Sequence, residues 1–335
     1  MRILVYQLLI WILLGTALFA KETLLGAAAG PKPMPDEGKE NEAPWLTGPL
    51  ISPFGYVIEK GHWDIEPYFY GNVAYGAYDK HWKAHSEPNF YSPNLQWFTW
   101  YGFAKRWDVE ISPQFSWNHT SGASHWVVND FPIEVEYQLL YEKPGSIRPA
   151  IKVAFLTTFP IGKYQKLDSD AKHTDVGGLG SWLPGIEIAF QRLVHLRGLH
   201  YLCLHYSLSY IIPTAVHVKG RNAYGGGHGT HGTVYPGPEF TTIFGLEYSL
   251  TRNWAFALDI QYEHIAATRF SGHKGATHRV PNRMGGPSIE SLSLAPAIEY
   301  SWSANFGMIA GVWFTAAGRN STVFANGIVA INVYI

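Results

Sequence analysis

The chain has 335 residues, a formal net charge of −1 and a single cysteine, Cys203. This charge excludes the basic surface of a nucleic-acid-binding protein, and one cysteine excludes a disulfide framework. Charged residues make up 15% of the chain and aromatic residues another 15%, while a mean hydropathy of −0.07 excludes a bundle of membrane helices. The apolar residues must therefore be dispersed, as in strands with one apolar and one polar face.

The N-terminal region divides into three parts. Residues 3–19 form a continuous apolar run that follows Arg2 and ends near Ala20. This pattern predicts a cleaved signal peptide over residues 1–20, with an uncleaved anchor as the alternative. Residues 21–44 are small, proline-rich and charged, which predicts a disordered periplasmic leader. Residues 45–61 mix apolar side chains with proline and glycine and could form either an ordered plug or a clasp. We include them in the barrel domain, which therefore starts at residue 45.

The stretch Trp107–Trp117 shows the strand pattern most clearly. Its odd positions are apolar and its even positions are polar without a break, so one face is apolar and begins and ends with tryptophan. Ten residues at about 3.3 Å each, tilted by about 40°, span roughly 25 Å, which is the height of the apolar band on a transmembrane β-barrel. Pro113 lies inside this strand and predicts a kink or bulge there.

The same alternation recurs along the chain. We expect strands near 62–71, 94–104, 107–117, 132–142, 148–159, 181–192, 200–212, 238–249, 253–264, 290–301, 304–315 and 323–335. Long and short connections alternate between them, and the last, 316–322, has moderate length. This arrangement predicts an all-β fold, a single transmembrane antiparallel β-barrel of about 12 strands over residues 45–335, with short periplasmic turns and long extracellular loops.

Several segments together resemble a known family. They are Gly48–Gly61 leading into Trp63, Tyr101–Glu110, Phe159–Gly162, Gly178–Trp182, Phe244–Trp254 and Gly318–Asn320. In these segments the chain is similar to the bacterial outer-membrane "transporter" family, also called the MetA-pathway of phenol degradation family. The resemblance implies an outer-membrane barrel that passes small molecules, aromatic ones included.

If lipid covers the apolar faces, the opposite faces line the lumen. The acidic residues predicted there are Asp64, Glu66, Asp108, Glu110, Glu187, Glu247, Asp259, Glu263 and Glu299. Rings of carboxylates favour cations in a pore, so we expect the lumen to pass cationic or neutral solutes. The alternative is that these acids pair with basic side chains of the loops or solvate a plugged lumen. The aromatic residues predicted at the membrane interfaces are Trp107, Trp117, Trp182, Trp254 and Tyr248.

Two other sets of side chains suggest different chemistry more weakly. His228 and His231 have a spacing that could bind a metal ion, although no cysteine or carboxylate lies near them in sequence. Residues 119–125 contain Ser121, Ser124 and two histidines, the ingredients of an outer-membrane lipid hydrolase, without a recognisable motif.

The function expected from the sequence is therefore passive diffusion of small solutes through an outer-membrane channel, without enzymatic activity or a cofactor. A structural or adhesive barrel is the main alternative, since the loops are long and aromatic. The expected partners are outer-membrane lipids, the barrel-insertion machinery and small solutes, but not nucleic acid. The expected location is the outer membrane of a Gram-negative bacterium, while the sequence does not indicate an oligomeric state.

Overall fold

The computed structural model describes residues 44–143, 146–277 and 280–335. The predicted signal peptide and all of the predicted leader except Pro44 lie outside the described residues. The described chain is built from strands, with the following bounds: β1 Trp63–Tyr78, β2 Ala84–Tyr91, β3 Asn94–Ala104, β4 Trp107–Ile111, β5 Gln114–Thr120, β6 Ala123–Val128, β7 Phe131–Leu140, β8 Ala150–Phe159, β9 Gly185–Arg197 and β10 His200–Ile211. The second half contains β11 Val216–Lys219, β12 His231–Tyr235, β13 Glu239–Ser249, β14 Trp254–Ile265, β15 Arg269–His273, β16 Ala276–Thr277, β17 Val280–Pro281, β18 Ile289–Ser303, β19 Phe306–Arg319 and β20 Thr322–Tyr334.

Fifteen of these strands form one antiparallel sheet that closes into a barrel. From β1 the circuit runs through β20, β19, β18, β14, β13, β10, β9, β8, β7, β4 and β3. It closes because β3 also pairs with β1, with Trp63 opposite Tyr101 and Tyr70 opposite Asn94. Every strand of this circuit therefore has a paired neighbour on each side, and the circuit has no open edge.

The predicted all-β antiparallel barrel is confirmed, but the strand count was too low. The sheet contains fourteen strands, rather than about 12, when β4 and β5 are counted as one interrupted strand. The two additional strands are β2 and β6, which the sequence analysis placed in loops. Strand β2 pairs with the end of β1, and β6 pairs with β5 from Phe115 to Thr120. Both extend the sheet on the side away from the short turns.

Two prolines affect the pairing or spacing of strands in the barrel wall. The strand that begins at Trp107 is interrupted at Ser112 and Pro113, between β4 and β5, since proline has no N–H to donate to the ladder. Pro296 lies in β18, and the neighbouring strand carries Gly311 at this point. A Cβ atom on Gly311 would lie 2.5 Å from the Pro296 carbonyl oxygen, so glycine permits the close approach of the two strands.

The two ends of the barrel differ in the length of their connections. The short-turn end carries the turns at residues 105–106, 198–199, 250–253 and 304–305, together with the start of β1 and the end of β20. The long-loop end carries residues 160–184, 212–238 and 266–288. The connection predicted at 316–322 is shorter than expected: β19 and β20 are joined by residues 320–321, with Asn320 at a φ of 55°.

A small sheet covers part of the long-loop end. Strands β11, β12 and β15 pair in that order, and their buried face packs on a separate apolar cluster. This cluster includes Leu167, Val176, Leu179, Val216, Val218, Tyr224, Val234 and Met284. The long loops are therefore folded against one another and have a core of their own.

The barrel exterior is apolar. Large hydrophobic side chains on its outward faces are exposed, among them Phe69, Trp97, Phe115, Phe155, Ile186, Phe244, Ile260, Ile298, Val312 and Val329. The described residues include no helix that is both long enough and apolar enough to cross a membrane.

Candidate functional site: the barrel interior

The interior of the barrel holds a segment of the chain itself. Residues 45–60, here called the lumen segment, precede β1 and are largely buried. The segment enters at the β13–β14 turn, where the Trp45 N–H donates to the Arg252 carbonyl oxygen (2.9 Å) and the Arg252 guanidinium lies over the Trp45 ring. It leaves beside the end of β3, where the Gly61 N–H donates to the Gly102 carbonyl oxygen (2.7 Å). Of the two forms left open by the sequence, the structure shows an ordered plug.

The lumen segment has no regular strand partner, so side chains of the barrel satisfy its backbone amides. Carboxylates accept from four of them: Thr47 N–H to Glu299 (2.8 Å), Gly48 N–H to Glu247 (3.0 Å), Ile51 N–H to Asp259 (2.9 Å) and Ile58 N–H to Asp108 (2.6 Å). The side-chain carbonyls of Gln191 and Gln138 accept from Gly55 N–H (2.9 Å) and Val57 N–H (2.8 Å). Charge-assisted bonds of this kind are roughly twice as strong as neutral ones.

These acceptors belong to one continuous part of the inner surface, here called the acid wall. It comprises the inward faces of β4, β7, β8, β9, β10, β13, β14 and β18, which are consecutive around the circuit. The acid wall contains one buried lysine, Lys152, whose Nζ lies 2.8 Å from Glu136 Oε1. Burying a charge without a partner costs several kcal/mol, so this lysine compensates part of the negative charge.

The rest of the inner surface is the aromatic wall, formed by β3, β1, β20 and β19. Its buried rings are Tyr68, Tyr70, Phe98, Trp100, Trp313 and Phe324. Phe98 contacts Trp100 and Tyr68 at centroid distances of 5.6 and 5.1 Å. Leu50, Phe54 and Ile58 of the lumen segment belong to the same apolar cluster. The segment therefore presents side chains to the aromatic wall and backbone amides to the acid wall.

The structure buries all nine acidic residues that the sequence analysis assigned to the lumen. Each is 0–4% exposed. Four of them hold the lumen segment, as described above, and Asp64 and Glu66 both accept from the Asn332 amide nitrogen (2.8 and 2.7 Å). Glu110 and Glu187 belong to the acid wall above the segment, as does Glu263. Their contribution to a solute path is taken up below as a proposal.

One glycine of the wall marks how closely the segment approaches it. A Cβ atom on Gly245 of β13 would lie 2.4 Å from Ser52 Oγ of the lumen segment. The same hydroxyl donates to Asp259, and Asp259 is the register partner of Gly245. Glycine at this position leaves the space that Ser52 fills.

The predicted interface aromatics occupy both ends of the barrel. At the short-turn end, Trp107 packs on Tyr137 and Trp254 packs on Tyr300, both at 4.6 Å between centroids, while Tyr248 stacks on His200. At the long-loop end, Trp117 stacks on His119 and Trp182 packs on Phe159. Trp182 and Trp254 are 45% and 43% exposed, consistent with side chains on the outer surface.

The metal candidates of the sequence lie at the long-loop end, outside the barrel interior. His231 stacks on His273 (5.3 Å), and its Nδ1 lies 3.0 Å from the Gly229 carbonyl oxygen. His228 instead lines a cavity of about 460 Å³ together with Lys166 and Arg221. The structure therefore places the two histidines in different surroundings.

The serine and histidine residues of the hydrolase hypothesis lie in the β5–β6 hairpin. His125 Nδ1 lies 2.7 Å from Thr174 Oγ1. Ser121 occupies the turn at a φ of 46°, and Lys172 donates to its carbonyl oxygen (2.6 Å). These contacts tie the hairpin to the loop between β8 and β9.

Several interior residues were not identified as functional from the sequence. Gln138 and Gln191 both sit at inward positions of otherwise acidic strands, and alternation alone could have assigned them to the lumen. Cys203 and His205 occupy inward positions of β10, and both are fully buried. Their proximity to Glu247 depends on the pairing of β10 with β13, which the sequence does not specify.

Comparisons with known proteins support the fold. No family model matches the chain, and no curated protein matches it. Among solved structures, the COG4313 outer membrane channel from Pseudomonas putida F1 is 12% identical, with a TM-score of 0.63 over 84% of this chain and 97% of that one.

Two further structures are similar at lower scores. The toluene transporter TbuX of Ralstonia pickettii is 8% identical, with a TM-score of 0.39 over 93% of this chain and 99% of that one. The translocator domain of the autotransporter NalP from Neisseria meningitidis is 12% identical, with a TM-score of 0.41 over 81% and 87%. The similarity to the Pseudomonas putida structure, with its TM-score of 0.63 at 12% identity, shows the fold alone: the chain folds as an outer-membrane-type β-barrel.

Proposed function

We propose that this protein is an outer-membrane channel for passive diffusion of small solutes, and that the lumen segment sets its closed state. One observation carries the proposal: the lumen is occupied by a segment that the wall holds through hydrogen bonds to its backbone. A segment held in this way can be displaced, because water or a polar solute can replace each hydrogen bond. The similar structure from Pseudomonas putida is an outer membrane channel, which supports the same function.

The orientation and the family are part of this proposal. The short turns face the periplasm and the long loops face outward, as in other outer-membrane barrels, and residues 1–20 are the cleaved export signal. The aromatic pairs at both ends, including Trp107, Trp117, Trp182, Trp254 and Tyr248, mark the two membrane interfaces. The resemblance to the MetA-pathway of phenol degradation family fits this assignment.

The solutes proposed are small and neutral or cationic, aromatic ones included. Carboxylates on the acid wall disfavour anions, and the rings of the aromatic wall attract planar apolar groups and cations. Glu110, Glu187 and Glu263 lie beyond the lumen segment on the acid wall, and we assign them to the solute path together with Asp259.

Planar-bilayer conductance of the refolded protein tests the proposal. We expect low conductance from the full chain and at least tenfold higher conductance from a variant that lacks residues 46–59. The control is a shortening of similar length in the loop at residues 160–184, which should leave conductance low. If the variant without the lumen segment folds but neither conducts nor passes solutes into liposomes, the channel proposal is wrong.

Ion selectivity tests the role of the carboxylates. In the variant that lacks residues 46–59, the double substitution of Glu110→Gln and Asp259→Asn should reduce the preference for cations. The matched control is Asp168→Asn with Asp170→Asn, two exposed acids of an outer loop. Unchanged cation preference in the first pair would show that these acids do not line the path.

A structural barrel without transport is the second candidate, and the dense packing of the lumen segment favours it. Leu50 and Ile58 are buried to 0% and 1% exposure against the aromatic wall. If the lumen segment never dissociates from the aromatic wall, it stabilises the barrel and does not gate it. The full chain would then stay closed under every voltage and solute, while the shortened variant would conduct.

A further inference from the structure

We propose that Cys203, His205 and Glu247 form a buried metal site for zinc, located where the lumen segment meets the acid wall. Cys203 and His205 are two residues apart on β10, so both side chains point inward. Glu247 of β13 is the register partner of Cys203. One ligand atom from each of the three residues lies within 4.8 Å of the other two.

The donor atoms match the preference of zinc. A thiolate, an imidazole nitrogen and a carboxylate oxygen are its usual protein ligands, at about 2.0–2.3 Å from the ion. Oxygen-only sites suit magnesium or calcium instead, and the cysteine argues against these ions. His205 Nε2 and Glu247 Oε2 are 2.6 Å apart; a zinc ion would replace the proton they share, with a small separation of the two groups.

A further buried carboxylate lies close to the three ligands, on a strand two places from β13. Glu299 of β18 is fully buried, and its Oε2 accepts from the backbone N–H and the hydroxyl of Thr47. Its Oε1 is also buried and has no hydrogen-bond partner within the described part of the chain. The Glu299 carboxylate lies beside that of Glu247 but outside the three-residue group, so it adds negative charge next to the ion, and a water molecule would be the fourth ligand.

The local charge also favours a cation. Glu247, Glu299 and Asp259 are all buried near His205, and uncompensated buried carboxylates are costly. The ion pairs that lysine and arginine side chains form within the described residues lie elsewhere, at Glu136, Asp175, Glu142 and Glu290. A divalent ion at this point would supply the positive charge, and its binding would release the protons of the thiol and of the His205–Glu247 pair.

The metal would be linked to the plug by direct contacts. Glu247 Oε1 accepts from the Gly48 N–H of the lumen segment (3.0 Å), and the Phe54 ring packs edge-on against His205 (5.9 Å). Fixing His205 and Glu247 to one ion therefore fixes two anchors of the segment. The site stands on its own geometry and does not require that the barrel conducts.

Cobalt titration of the metal-free, refolded full chain tests the site. Cobalt(II) bound to a thiolate absorbs through sulfur-to-metal charge transfer, and histidines on the surface give no such band. We expect one equivalent of cobalt to produce this band and tetrahedral visible bands, and one equivalent of zinc to remove them. Cobalt-loaded protein without the charge-transfer band would overturn the proposal.

Variants assign the ligands. Cys203→Ser should abolish the band, and His205→Gln and Glu247→Gln should each weaken binding at least tenfold. His231→Gln and Glu110→Gln are matched controls at an external histidine and at a separate acidic group, and both should bind as the unaltered chain does. Equal affinity in His205→Gln and the unaltered chain would refute the ligand set. If a variant does not fold, the unaltered chain is treated with an alkylating reagent with and without zinc. Zinc should protect the Cys203 thiol from alkylation, and a thiol that zinc does not protect also refutes the proposal.

Discussion

The acid wall and the aromatic wall hold the same segment by different physics. The acid wall offers carboxylates and amide side chains to backbone N–H groups of residues 45–60, at distances of 2.6–3.0 Å. The aromatic wall offers rings to Leu50, Phe54 and Ile58, which are almost fully buried. Hydrogen bonds to a charged group are strong but can be exchanged for water or a solute, whereas apolar contact is lost outright when the surfaces separate.

The comparison suggests a division of roles inside the barrel. The acid wall determines where the segment sits, because hydrogen bonds are directional. The aromatic wall determines how firmly it sits, because burial of apolar area is non-directional and additive over the contact. The following substitutions are chosen to separate these two contributions, beginning with the largest expected effect.

Lys152→Met removes the buried cation of the acid wall and leaves Glu136 without its partner at 2.8 Å. We expect a loss of about 3–5 kcal/mol in the free energy of unfolding, measured by urea titration of the refolded barrel with tryptophan fluorescence. Lys163→Met is the control: it removes a pair in which the lysine is 50% exposed, and should cost about 1 kcal/mol. Equal losses in the two variants would show that the acid wall does not depend on Lys152.

Phe54→Ala truncates the largest side chain that the lumen segment contributes to the apolar cluster. Truncation of a buried phenylalanine costs about 3–5 kcal/mol. Here it should weaken the docking of the lumen segment against the wall by that amount. We expect faster proteolysis of residues 45–60 and a higher open fraction in bilayers. Phe69→Ala, at an outward position that is 62% exposed, should change neither quantity; a segment as protected in Phe54→Ala as in the unaltered chain would contradict the role of the aromatic wall.

Asp259→Asn keeps the size of the side chain and removes its charge. The hydrogen bond from Ile51 N–H becomes neutral, and the amide nitrogen that replaces the other oxygen must donate to Ser52 Oγ instead of accepting from it. This change should weaken docking of the segment by about 1–2 kcal/mol. Ser52→Ala removes one of the two bonds and should have about half the effect. Hydrogen exchange of the segment amides measures both; an effect larger than that of Phe54→Ala would reverse the roles assigned to the two walls.

His173→Asn tests a region outside both walls, the loop between β8 and β9. Burial lowers the pKa of His173 to about 4, with Asp175 opposing and Arg221 reinforcing the shift. The unfolded loop binds the proton more tightly, so acidification from about pH 6.5 to 4 should destabilise the loop. Asparagine tolerates the left-handed backbone at this position, where φ is 65°.

The readout for this loop is hydrogen exchange of residues 165–177 at pH 7 and pH 4.5, compared between the two proteins. The comparison cancels the contributions of other titrating groups, because both proteins contain them. One such group is Asp130; burial raises its pKa to about 6. The pH dependence should be smaller in His173→Asn, and exchange of the lumen segment should be the same in both. A loop with unchanged pH dependence would exclude His173 as the titrating group.

Alternation predicted most of the barrel wall, because lipid outside and polar groups inside impose a period of two on each strand. The predicted strand 94–104 has the bounds of β3, and the interruption predicted at Pro113 separates β4 from β5. Strands β2 and β6 were missed because nearly all their residues are exposed. With neither face buried, these strands carry no periodic signal.

The contents of the barrel were harder to predict than its wall. Alternation placed Asp259 and Glu299 on inward faces, where the structure has them. It could not identify their partners, since Thr47 and Glu299 are 252 residues apart and their contact depends on closure of the whole barrel. The sequence of residues 45–61 allowed a plug or a clasp because its backbone amides, and not its side chains, make most of the directional contacts.

Residues 45–60 enter and leave the barrel through the same rim, beside Arg252 and Gly102. The segment is therefore a folded-back loop. Such a loop can be inserted into a finished cylinder, and withdrawn from it, without threading. Trp45 lies on the side of the short turns, beside Arg252, so a pull applied at Trp45 would act along the direction in which the loop comes out.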